Sequence, residues 1–401
     1  MDFKFSEEQE SFRKEIKTFL KEEYPEGCKE RELEWPGAFG AMLLRDNESE
    51  ALTRQFWRKL AEKGWLCIGW PKEYGGGGRS RIDQLILYEE IDYYRAPSID
   101  QVVRFEGPAI IAFGTEEQKK RFLPSIAKGE LTFTEGLSEP GAGSDLGSIQ
   151  TSAIESGDEF IINGQKTYTS SAHQADYCWL LARTDPKSFR FKGLSVFLVD
   201  MKTSGITIDP LINMLGLHHF NSVFFEDVRV PEEYLLGKQG EGWKVTAAML
   251  NFERFATVRI GSFRCVFDEL VEYVRERWQD LKMSFLYPLL RQRLAELAIE
   301  IELIRILSYR AAWMQDKGQV PITESSILRI LGGELSQRFA KVAMQALKPT
   351  DLLGKDPKWA SFVRRVISGC MDSISGTIGA GTSEIQRNII ANITLRLPKS
   401  F

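Results

Sequence analysis

Residues that could hold a cofactor are gathered in short blocks of the chain. In "SEPGAGSD", Ser138 to Asp145, two glycines permit tight backbone geometry, and Ser138 and Ser144 add hydroxyl groups. Such a loop can present N–H and O–H donors to a phosphate or to the polar edge of a cofactor ring. In "NGQKTYTSS", Tyr168 and Ser170 stand two positions apart, so on a strand they would share one face. Either block by itself is typical of an ordinary surface turn or strand.

Three zones of different periodicity must position these blocks. Residues 1–128 follow a helical pattern, residues 129–239 follow the period of strands, and residues 240–401 return to a helical pattern with long apolar stripes. This order predicts an α+β fold with an all-α N-terminal domain, a β middle domain and a C-terminal helical bundle. No strands alternate with helices, so no Rossmann sheet is expected.

Local signals within the zones give specific expectations. Ser6 with Gln9 forms a capping-box pattern that predicts a helix start. Asn163-Gly164 lies between two apolar runs, which predicts a hairpin turn. Two apolar stripes predict bundle helices, and they consist of Leu290, Leu294, Leu297, Ile301 and Ile304, and of Leu328, Leu331, Leu335, Phe339, Val342 and Ala346.

Composition excludes several classes of function. The net charge is -4 with scattered Lys and Arg, so no nucleic-acid partner is expected. The five cysteines form no CxxC pair, which favours reduced thiols in a cytoplasmic protein. His218 and His219 are expected in a loop before a strand, and His173 on a turn, with no third ligand spaced for a metal. No apolar run reaches membrane-spanning length, so no membrane insertion is expected.

Several blocks, in order and distance, resemble the acyl-CoA dehydrogenase family. They are "EEQKKRFLPSIAKGE", "LSEPGAGSDLGSIQT", "DEFIINGQKTYTSSAHQADYCWLLARTD", "FFEDVRVPEEYLLG" and "GTSEIQRNII", and they extend over essentially the whole chain. The resemblance implies that the C-terminal bundle has four helices and that FAD is held between the middle domain and this bundle. It also implies α,β-dehydrogenation of an acyl-CoA thioester, with electrons passing to an electron-transfer flavoprotein.

The resemblance also assigns roles in the two blocks of the middle domain. It implies that Leu137 and Ser138 face the pyrimidine edge of the flavin, and that Ser144 lies near both the flavin and the CoA arm. Tyr168 stands where the family commonly has Trp against the isoalloxazine. Ser170 stands where the family commonly has Thr near N5. Both departures keep the chemical role, an aromatic face and a hydroxyl donor.

In the bundle the resemblance is uneven. The block "GTSEIQ" implies three cofactor-binding residues, Thr382, Glu384 and Gln386. Arg277 matches the arginine of an "RxxFG" motif that helps hold the FAD pyrophosphate of a neighbouring subunit in homotetrameric members. However, Asp280 and Leu281 replace its Phe and Gly, and "ALKPTDLLGKD" lacks the family's later glycine pair. An aspartate near a pyrophosphate is unfavourable, so the neighbour's FAD is expected to be held differently or not at all.

The tail raises the question of the catalytic base. Ala380 stands where the family usually has a glutamate, and alanine supplies no base. Isovaleryl-CoA dehydrogenase-like members carry the base on the first long helix of the bundle, directly before an arginine, which this chain matches with Glu253 and Arg254. The resemblance makes Glu253 the catalytic residue and Arg254 and Asn251 CoA contacts. The backbone N–H of Ala380 can still bind the thioester oxygen.

These departures look like those of bacterial members that act on bulky, cyclic, aryl-substituted or dicarboxylyl acyl-CoA thioesters. Several such members work as paired subunits, so a homo- or hetero-tetramer is expected. Two alternatives remain open at this point. The chain could be the assembly subunit of a heteromeric dehydrogenase, or a flavin-dependent monooxygenase or oxidase on the same fold.

Overall fold

The computed structural model of the chain describes residues 4–24, 33–38, 47–252, 258–277, 287–348, 350–353 and 356–398. The chain divides into two compact units. The first unit comprises Met1–Arg45, Ser80–Ser98 and Arg254–Phe401, and the second comprises Asp46–Arg79 and Ile99–Glu253. In the described part of the chain, no helix has both the length and the apolar character of a membrane span.

The described elements come in the order that the three zones predict: helices first, then strands, then helices again. The helices are α1 (Glu7–Glu23), α2 (Asn47–Glu62), α3 (Arg81–Tyr93), α4 (Gln101–Arg104), α5 (Glu106–Phe113), α6 (Glu116–Ala127), α7 (Gly242–Phe252), α8 (Ile260–Glu276), α9 (Tyr287–Asp316), α10 (Ile322–Ala346), α11 (Ala360–Asp372) and α12 (Ser383–Ile389). The strands are β1 (Phe133–Gly136), β2 (Ser152–Ser156), β3 (Glu159–Lys166), β4 (Tyr177–Arg183), β5 (Leu194–Asp200), β6 (Ile206–Ile212), β7 (His218–Pro231) and β8 (Leu235–Leu236).

The first unit is helical, and a buried carboxylate in its interior contacts side chains of two other helices. The capping box predicted at Ser6 and Gln9 is confirmed at the start of α1. Most residues of the two predicted apolar stripes are buried on α9 and α10. The fully buried Glu89 of α3 accepts hydrogen bonds from Tyr309 of α9 at 2.6 Å and Arg13 of α1 at 3.0 Å. Buried carboxylates require such partners, so this contact fixes how the helices pack.

The second unit is built on one sheet of eight strands. Their order is β6-β7-β3-β2-β4-β5-β8, and β1 pairs in parallel with β4. Apolar side chains of alternate positions, such as Phe160, Leu180, Phe197 and Val223, form the core on one face. The opposite face of the sheet is covered by helix α7, which packs against both β4 and β5. The sheet thereby positions the two motif blocks that flank it.

The hairpin predicted at Asn163-Gly164 is wrong. Strand β3 continues through both residues, and the turn between β2 and β3 lies at Gly157, whose φ is +70°. At Gly164 the register of β3 against β7 shifts, and an added Cβ would lie 2.6 Å from the Thr151 hydroxyl. Glycine is therefore required here for a bulge and a close backbone approach, a use that the sequence signal does not distinguish from a turn.

Candidate active site

The loop that begins at Leu137 is anchored by a buried ion pair. Lys166, at the end of β3, is fully buried, and its Nζ lies 2.8 Å from Glu139 Oε1 and 3.1 Å from the Leu137 carbonyl oxygen. The Glu139 carboxylate also accepts from the backbone N–H groups of Gln150 at 2.6 Å and Thr151 at 2.9 Å. These contacts fix the backbone on both sides of Ser138, the residue predicted at the cofactor edge.

Each residue of this ion pair affects the pKa of the other. Burial would raise the pKa of Glu139, but the Lys166 ammonium and the backbone donors outweigh it, so the pKa lies below its usual range. Burial lowers the pKa of Lys166 against the attraction of Glu139. Sequence reasoning missed both residues as parts of the site. Their only signal was their place inside the blocks "SEPGAGSD" and "NGQK".

The glycines of the loop have a different role from the one expected. Gly141 and Gly143 do not have positive φ, and a Cβ on either would meet no described atom within 4 Å. The turn is closed instead by paired backbone hydrogen bonds between Glu139 and Ala142, each 3.0 Å long. Ser144 is exposed near the end of the same loop. The loop geometry therefore comes from pairing rather than from glycine dihedral angles.

The segment after β3 places Tyr168 and Ser170 next to this loop, although not on a strand as expected. Strand β3 ends at Lys166, and Tyr168 adopts a left-handed φ of +55°. The Thr167 N–H donates to the Ser138 carbonyl at 2.9 Å, and the Thr134 hydroxyl donates to the Ser170 carbonyl at 2.7 Å. With a left-handed residue the alternation of strand side chains fails. Tyr168 is 67% exposed, an unusual position for a large ring.

The same segment is supported by histidine and asparagine side chains. Thr169 exchanges two backbone hydrogen bonds with Asn221, at 3.0 and 3.1 Å, and Asn221 Oδ1 lies 2.7 Å from His218 Nε2. His173 stacks on His218 at 3.9 Å between ring centroids. His218 and His219 begin strand β7 and do not lie in a preceding loop. In the described chain no group of three or more His, Cys, Asp or Glu could hold a metal ion.

In the first unit, the tail block is held by helix α10. Arg329 donates to the Gly379 carbonyl at 2.5 Å, and Gln337 donates to the Thr377 hydroxyl at 3.0 Å. Burial lowers the pKa of Arg329 to about 10. Ala380 follows with a left-handed φ of +50°. Arg329 is a further residue that sequence reasoning missed, because nothing local to position 329 marks it.

The three predicted cofactor residues of the tail open helix α12. The Thr382 hydroxyl accepts from the Ile385 N–H at 3.2 Å and caps the helix. The Gln386 amide donates to the Gly381 carbonyl at 3.4 Å and is almost fully buried. Glu384 is exposed, and hydrogen bonds from its own backbone N–H and from Thr382 lower its pKa. Two of the three therefore stabilise the local turn.

Arg277 lies at the end of α8 in contact with acidic and aromatic neighbours of its own unit. Its Nη2 lies 2.8 Å from Asp356 Oδ2 and 3.3 Å from Asp351 Oδ1. Its guanidinium also covers the Tyr273 ring at 4.4 Å. The neighbouring Asp280 and Leu281 lie outside the described residues.

The predicted base and its arginine also lie outside the described residues. Helix α7 is described as far as Phe252, so Glu253 and Arg254 are located only by sequence. Asn251 is placed near the end of α7 and is partly buried. Leu137 and Ser138 are likewise partly buried, in the loop that follows β1. The assignments of all these residues remain predictions.

Comparison with known proteins identifies the family. The family models for the N-terminal, middle and C-terminal domains of acyl-CoA dehydrogenases match residues 6–130, 134–228 and 240–395. The chain belongs to the acyl-CoA dehydrogenase family. The predicted fold, an all-α N-terminal domain, a β middle domain and a C-terminal helical bundle, is confirmed for this acyl-CoA dehydrogenase. The expected bounds 1–128, 129–239 and 240–401 remain a prediction.

Individual relatives cover most of the chain. Acyl-CoA dehydrogenase FadE26 of Mycobacterium tuberculosis is 36% identical over 85% of this chain and 87% of its own. The solved Tcur3481-Tcur3483 steroid ACAD is 29% identical with a TM-score of 0.86, and both chains are covered in full. The ChsE4-ChsE5 complex from Mycobacterium tuberculosis is 31% identical with a TM-score of 0.82, again with full coverage of both chains.

Acyl-CoA dehydrogenases are FAD flavoproteins, and the second unit of this one has groups that suit a flavin. The Thr169 Oγ1 and Ser171 Oγ atoms are buried without a hydrogen-bond partner among the described residues. Tyr168, between the anchored loop and Thr169, presents an exposed aromatic ring. Unpaired hydroxyls beside an exposed ring fit a planar cofactor with a polar edge. Leu137, Ser138, Tyr168 and Ser170 remain the predicted contacts of the flavin in this unit.

Proposed function

We propose that the chain catalyses the α,β-dehydrogenation of an acyl-CoA thioester to the 2-enoyl-CoA, with FAD as its cofactor. The observation that carries this proposal is the Leu137–Glu139 loop, which a buried lysine and two backbone donors hold next to Tyr168. Such a rigid support suits a site that must orient a ring and a thioester together. When bound, the flavin would supply the acceptor for the β-hydrogen as hydride, and an electron-transfer flavoprotein would take up the electrons.

The residues of the chain supply the proton transfer and the positioning. Glu253 removes the α-proton, because the Ala380 side chain supplies no base at the usual position. The Ala380 N–H binds the thioester carbonyl oxygen, which makes the α-proton more acidic. Arg254 and Asn251 bind the CoA arm together with Ser144. Each of these roles is carried over from the family by motif position.

Two further cofactor contacts are proposed in the second unit and three in the first. Tyr168 would face the flavin ring, and Ser170 would donate a hydrogen bond near its N5. In the first unit Thr382, Glu384 and Gln386 shape the turn that contacts the cofactor, and the capping contact of Thr382 keeps this turn rigid. The proposed contacts with FAD rest on motif position and on the exposure of Tyr168.

Replacing the proposed base gives the decisive test. Glu253→Gln removes the carboxylate while keeping the size of the side chain, so we expect flavin bleaching by acyl-CoA to slow by at least about 100-fold. The measurement is anaerobic stopped-flow absorbance with a panel of acyl-CoA thioesters. Glu241→Gln is the matched control. Glu241 directly precedes α7, and its carboxylate pairs with Lys244 of that helix. Activity within a few-fold of wild type at unchanged flavin content would contradict the assignment.

The same bleaching assay, applied to the wild-type protein and to Glu253→Gln, separates the three candidate functions. A yellow protein that acyl-CoA bleaches without oxygen is a dehydrogenase. A colourless protein whose Glu253→Gln variant leaves the activity of a complex with another chain unchanged is an assembly subunit. A protein that only an external reductant bleaches, and that air rapidly reoxidises, is an oxygen-using enzyme.

The substrate is proposed to be bulky. The small Ala380 side chain leaves room next to the tail turn, and one of the most similar solved structures is a steroid ACAD. A ring system attached to the thioester fits both observations. Cyclic and aryl-substituted acyl groups belong to the same class.

We also propose that a second dehydrogenase-like chain completes the enzyme. Two similar solved structures carry two protein names each, Tcur3481-Tcur3483 and ChsE4-ChsE5. In addition, the Arg277 guanidinium is ion-paired with Asp351 and Asp356 of its own unit. An arginine engaged in this way is less available to a neighbour's pyrophosphate.

A further inference from the structure

Polar side chains that the proposed reaction does not use meet on the helical side of strand β1. Glu106 is the first residue of α5, and Glu135 lies on β1. The Gln101 amide of α4 lies 3.5 Å from Glu106 Oε1 and donates to the Phe133 carbonyl at 3.1 Å. This amide links Glu106 to the strand two residues before Glu135. All four residues belong to the second unit.

Glu106 is incompletely satisfied. The residue is 0% exposed, and its Oε2 atom has no hydrogen-bond partner in the described part of the chain. Burial, and next the charge of Glu135, raise the pKa of Glu106 well above its usual range. Burial therefore favours its neutral carboxylic acid form, which can both donate and accept hydrogen bonds. A buried polar atom without a partner is costly unless a ligand or water completes it.

Two more unpartnered polar groups lie on the elements that pack against α5 and pair with β1. In the parallel pairing of β1 with β4, Glu135 stands opposite Trp179, so both side chains occupy one face of the sheet. Helix α7 packs against α5 and β4 and carries Thr246. Trp179 Nε1 and Thr246 Oγ1 are both buried, and neither has a partner among the residues described. We call Glu106, Glu135, Trp179 and Thr246 the polar cluster.

One member of the polar cluster is partly exposed, and two members are close in sequence to residues of the proposed reaction. Glu135 is the only partly exposed residue of β1 as described. Burial raises its pKa to about 7, against the effect of Arg104. Leu137 and Ser138 follow Glu135 by two and three positions, and Thr246 precedes Glu253 by seven positions. A ring system attached to the reacting thioester could therefore extend to the cluster.

We propose that the polar cluster binds a hydroxyl group on the ring system of the acyl substrate. A hydroxyl group can donate to a Glu135 or Glu106 oxygen and accept from the Trp179 indole N–H or the Thr246 hydroxyl. A methyl group leaves these groups unpaired, and the burial that disfavours ionisation of Glu106 and Glu135 also disfavours a charged carboxylate on the substrate. The inference rests on the proposed dehydrogenase function and narrows its substrate class to oxygenated rings, excluding dicarboxylyl thioesters.

A matched set of thioesters tests the inference. The probes are 3-cyclohexylpropanoyl-CoA derivatives with one hydroxyl, one methyl or one carboxylate group at ring position 2, 3 or 4. The measured quantity is the rate constant per unit concentration for anaerobic flavin bleaching. For at least one ring position we expect the hydroxyl probe to exceed its methyl partner by about tenfold or more. The carboxylate probes should be the poorest at every position.

Two variants connect the preference to the cluster. Glu106→Leu and Glu135→Leu should each abolish the hydroxyl preference while methyl-probe rates stay within a few-fold of wild type. Their thermal midpoints should be unchanged or higher, because an incompletely satisfied buried carboxyl is removed. Glu155→Leu, at an exposed carboxylate of β2, is the control and should keep the preference.

The hydroxyl site and the proposed function would be contradicted by different experimental results. Hydroxyl and methyl probes with equal rates in the wild type, or a preference that survives in both leucine variants, would overturn the hydroxyl site and leave the dehydrogenase function intact. Lower thermal midpoints with an unchanged preference would show a purely structural carboxyl pair. A wild-type flavin that no acyl-CoA thioester bleaches would overturn the proposed function and this inference together.

Discussion

At the scale of single residues, the Lys166–Glu139 pair links the sequence motifs to the geometry of the site. The two residues are 27 positions apart, yet their side chains meet at 2.8 Å inside the second unit. Lys166 also binds the Leu137 carbonyl, so one ammonium group holds both the carboxylate and the loop backbone. Three donors around a buried carboxylate are an arrangement that tolerates little change.

We expect Lys166→Met to lower the free energy of unfolding by about 3–5 kcal/mol, because it leaves the Glu139 carboxylate buried without its counterion. The loop should loosen at Leu137, so the protein should also lose FAD during gel filtration. Urea unfolding and the ratio of flavin to protein absorbance measure the two effects. Lys202→Met, at an exposed lysine, is the control.

A double variant separates charge from packing in this prediction. Lys166→Met with Glu139→Gln removes both charges, so it should recover part of the lost stability. A single Lys166→Met protein with wild-type stability and full flavin content would contradict the anchoring role of this pair.

At the scale of elements, close backbone contacts position the tail turn of the first unit. A Cβ added to Gly376 would lie 2.4 Å from the Gly37 carbonyl oxygen. A Cβ added to Gly333 of α10 would lie 2.4 Å from the Gly376 carbonyl oxygen. The turn is therefore packed between helix α10 and the segment around Gly37 with no room for a side chain. Arg329 then fixes the Gly379 carbonyl that precedes Ala380.

We expect Gly376→Ala to destabilise the protein by about 2 kcal/mol or more, because rigid backbone atoms must move to admit the methyl group. The tail should shift with the turn, so acyl-CoA turnover should fall by a larger factor than flavin content. Thermal unfolding and steady-state kinetics measure this. Gly141→Ala is the control, since its Cβ would meet no described atom within 4 Å. Unchanged stability in Gly376→Ala would rule out the tight packing.

At the scale of the whole molecule, the proposal of a partner chain rests on the contacts of Arg277 and on the sequence around them. Its contacts with Asp351 and Asp356 stabilise the end of α8 within its own unit. The glycine pair that accompanies this arginine in homotetrameric members is missing from "ALKPTDLLGKD". Both features reduce the capacity of the chain to hold a second flavin for a neighbour.

We expect the chain purified alone to carry fewer than one FAD per protomer and to gain flavin and activity when it is co-expressed with a second dehydrogenase-like chain. Light scattering with flavin absorbance gives the mass and the stoichiometry. Arg277→Gln should reduce stability without lowering the flavin content of the complex. A homotetramer with one FAD per protomer and full activity would contradict the need for a partner chain.

Much of this protein follows from its sequence. The capping box of α1, the apolar stripes of α9 and α10, and the order of helical and strand zones are local patterns, so the fold class was predictable. The motif blocks identified the family because their residues lie together in the chain. Local pattern failed at Asn163-Gly164 and at Tyr168, where a bulge and a left-handed residue interrupt the regular period.

The tertiary structure alone decided which distant residues support the site. Lys166 meets Glu139, Arg329 meets Gly379, and Glu135 stands opposite Trp179 through contacts between elements that no local spacing encodes. The cost of a buried, unpaired polar atom depends on what surrounds it, which is a property of packing. The sequence therefore determined the kind of enzyme, and the packing determined how its loops are held and which buried polar atoms have no partner among the described residues.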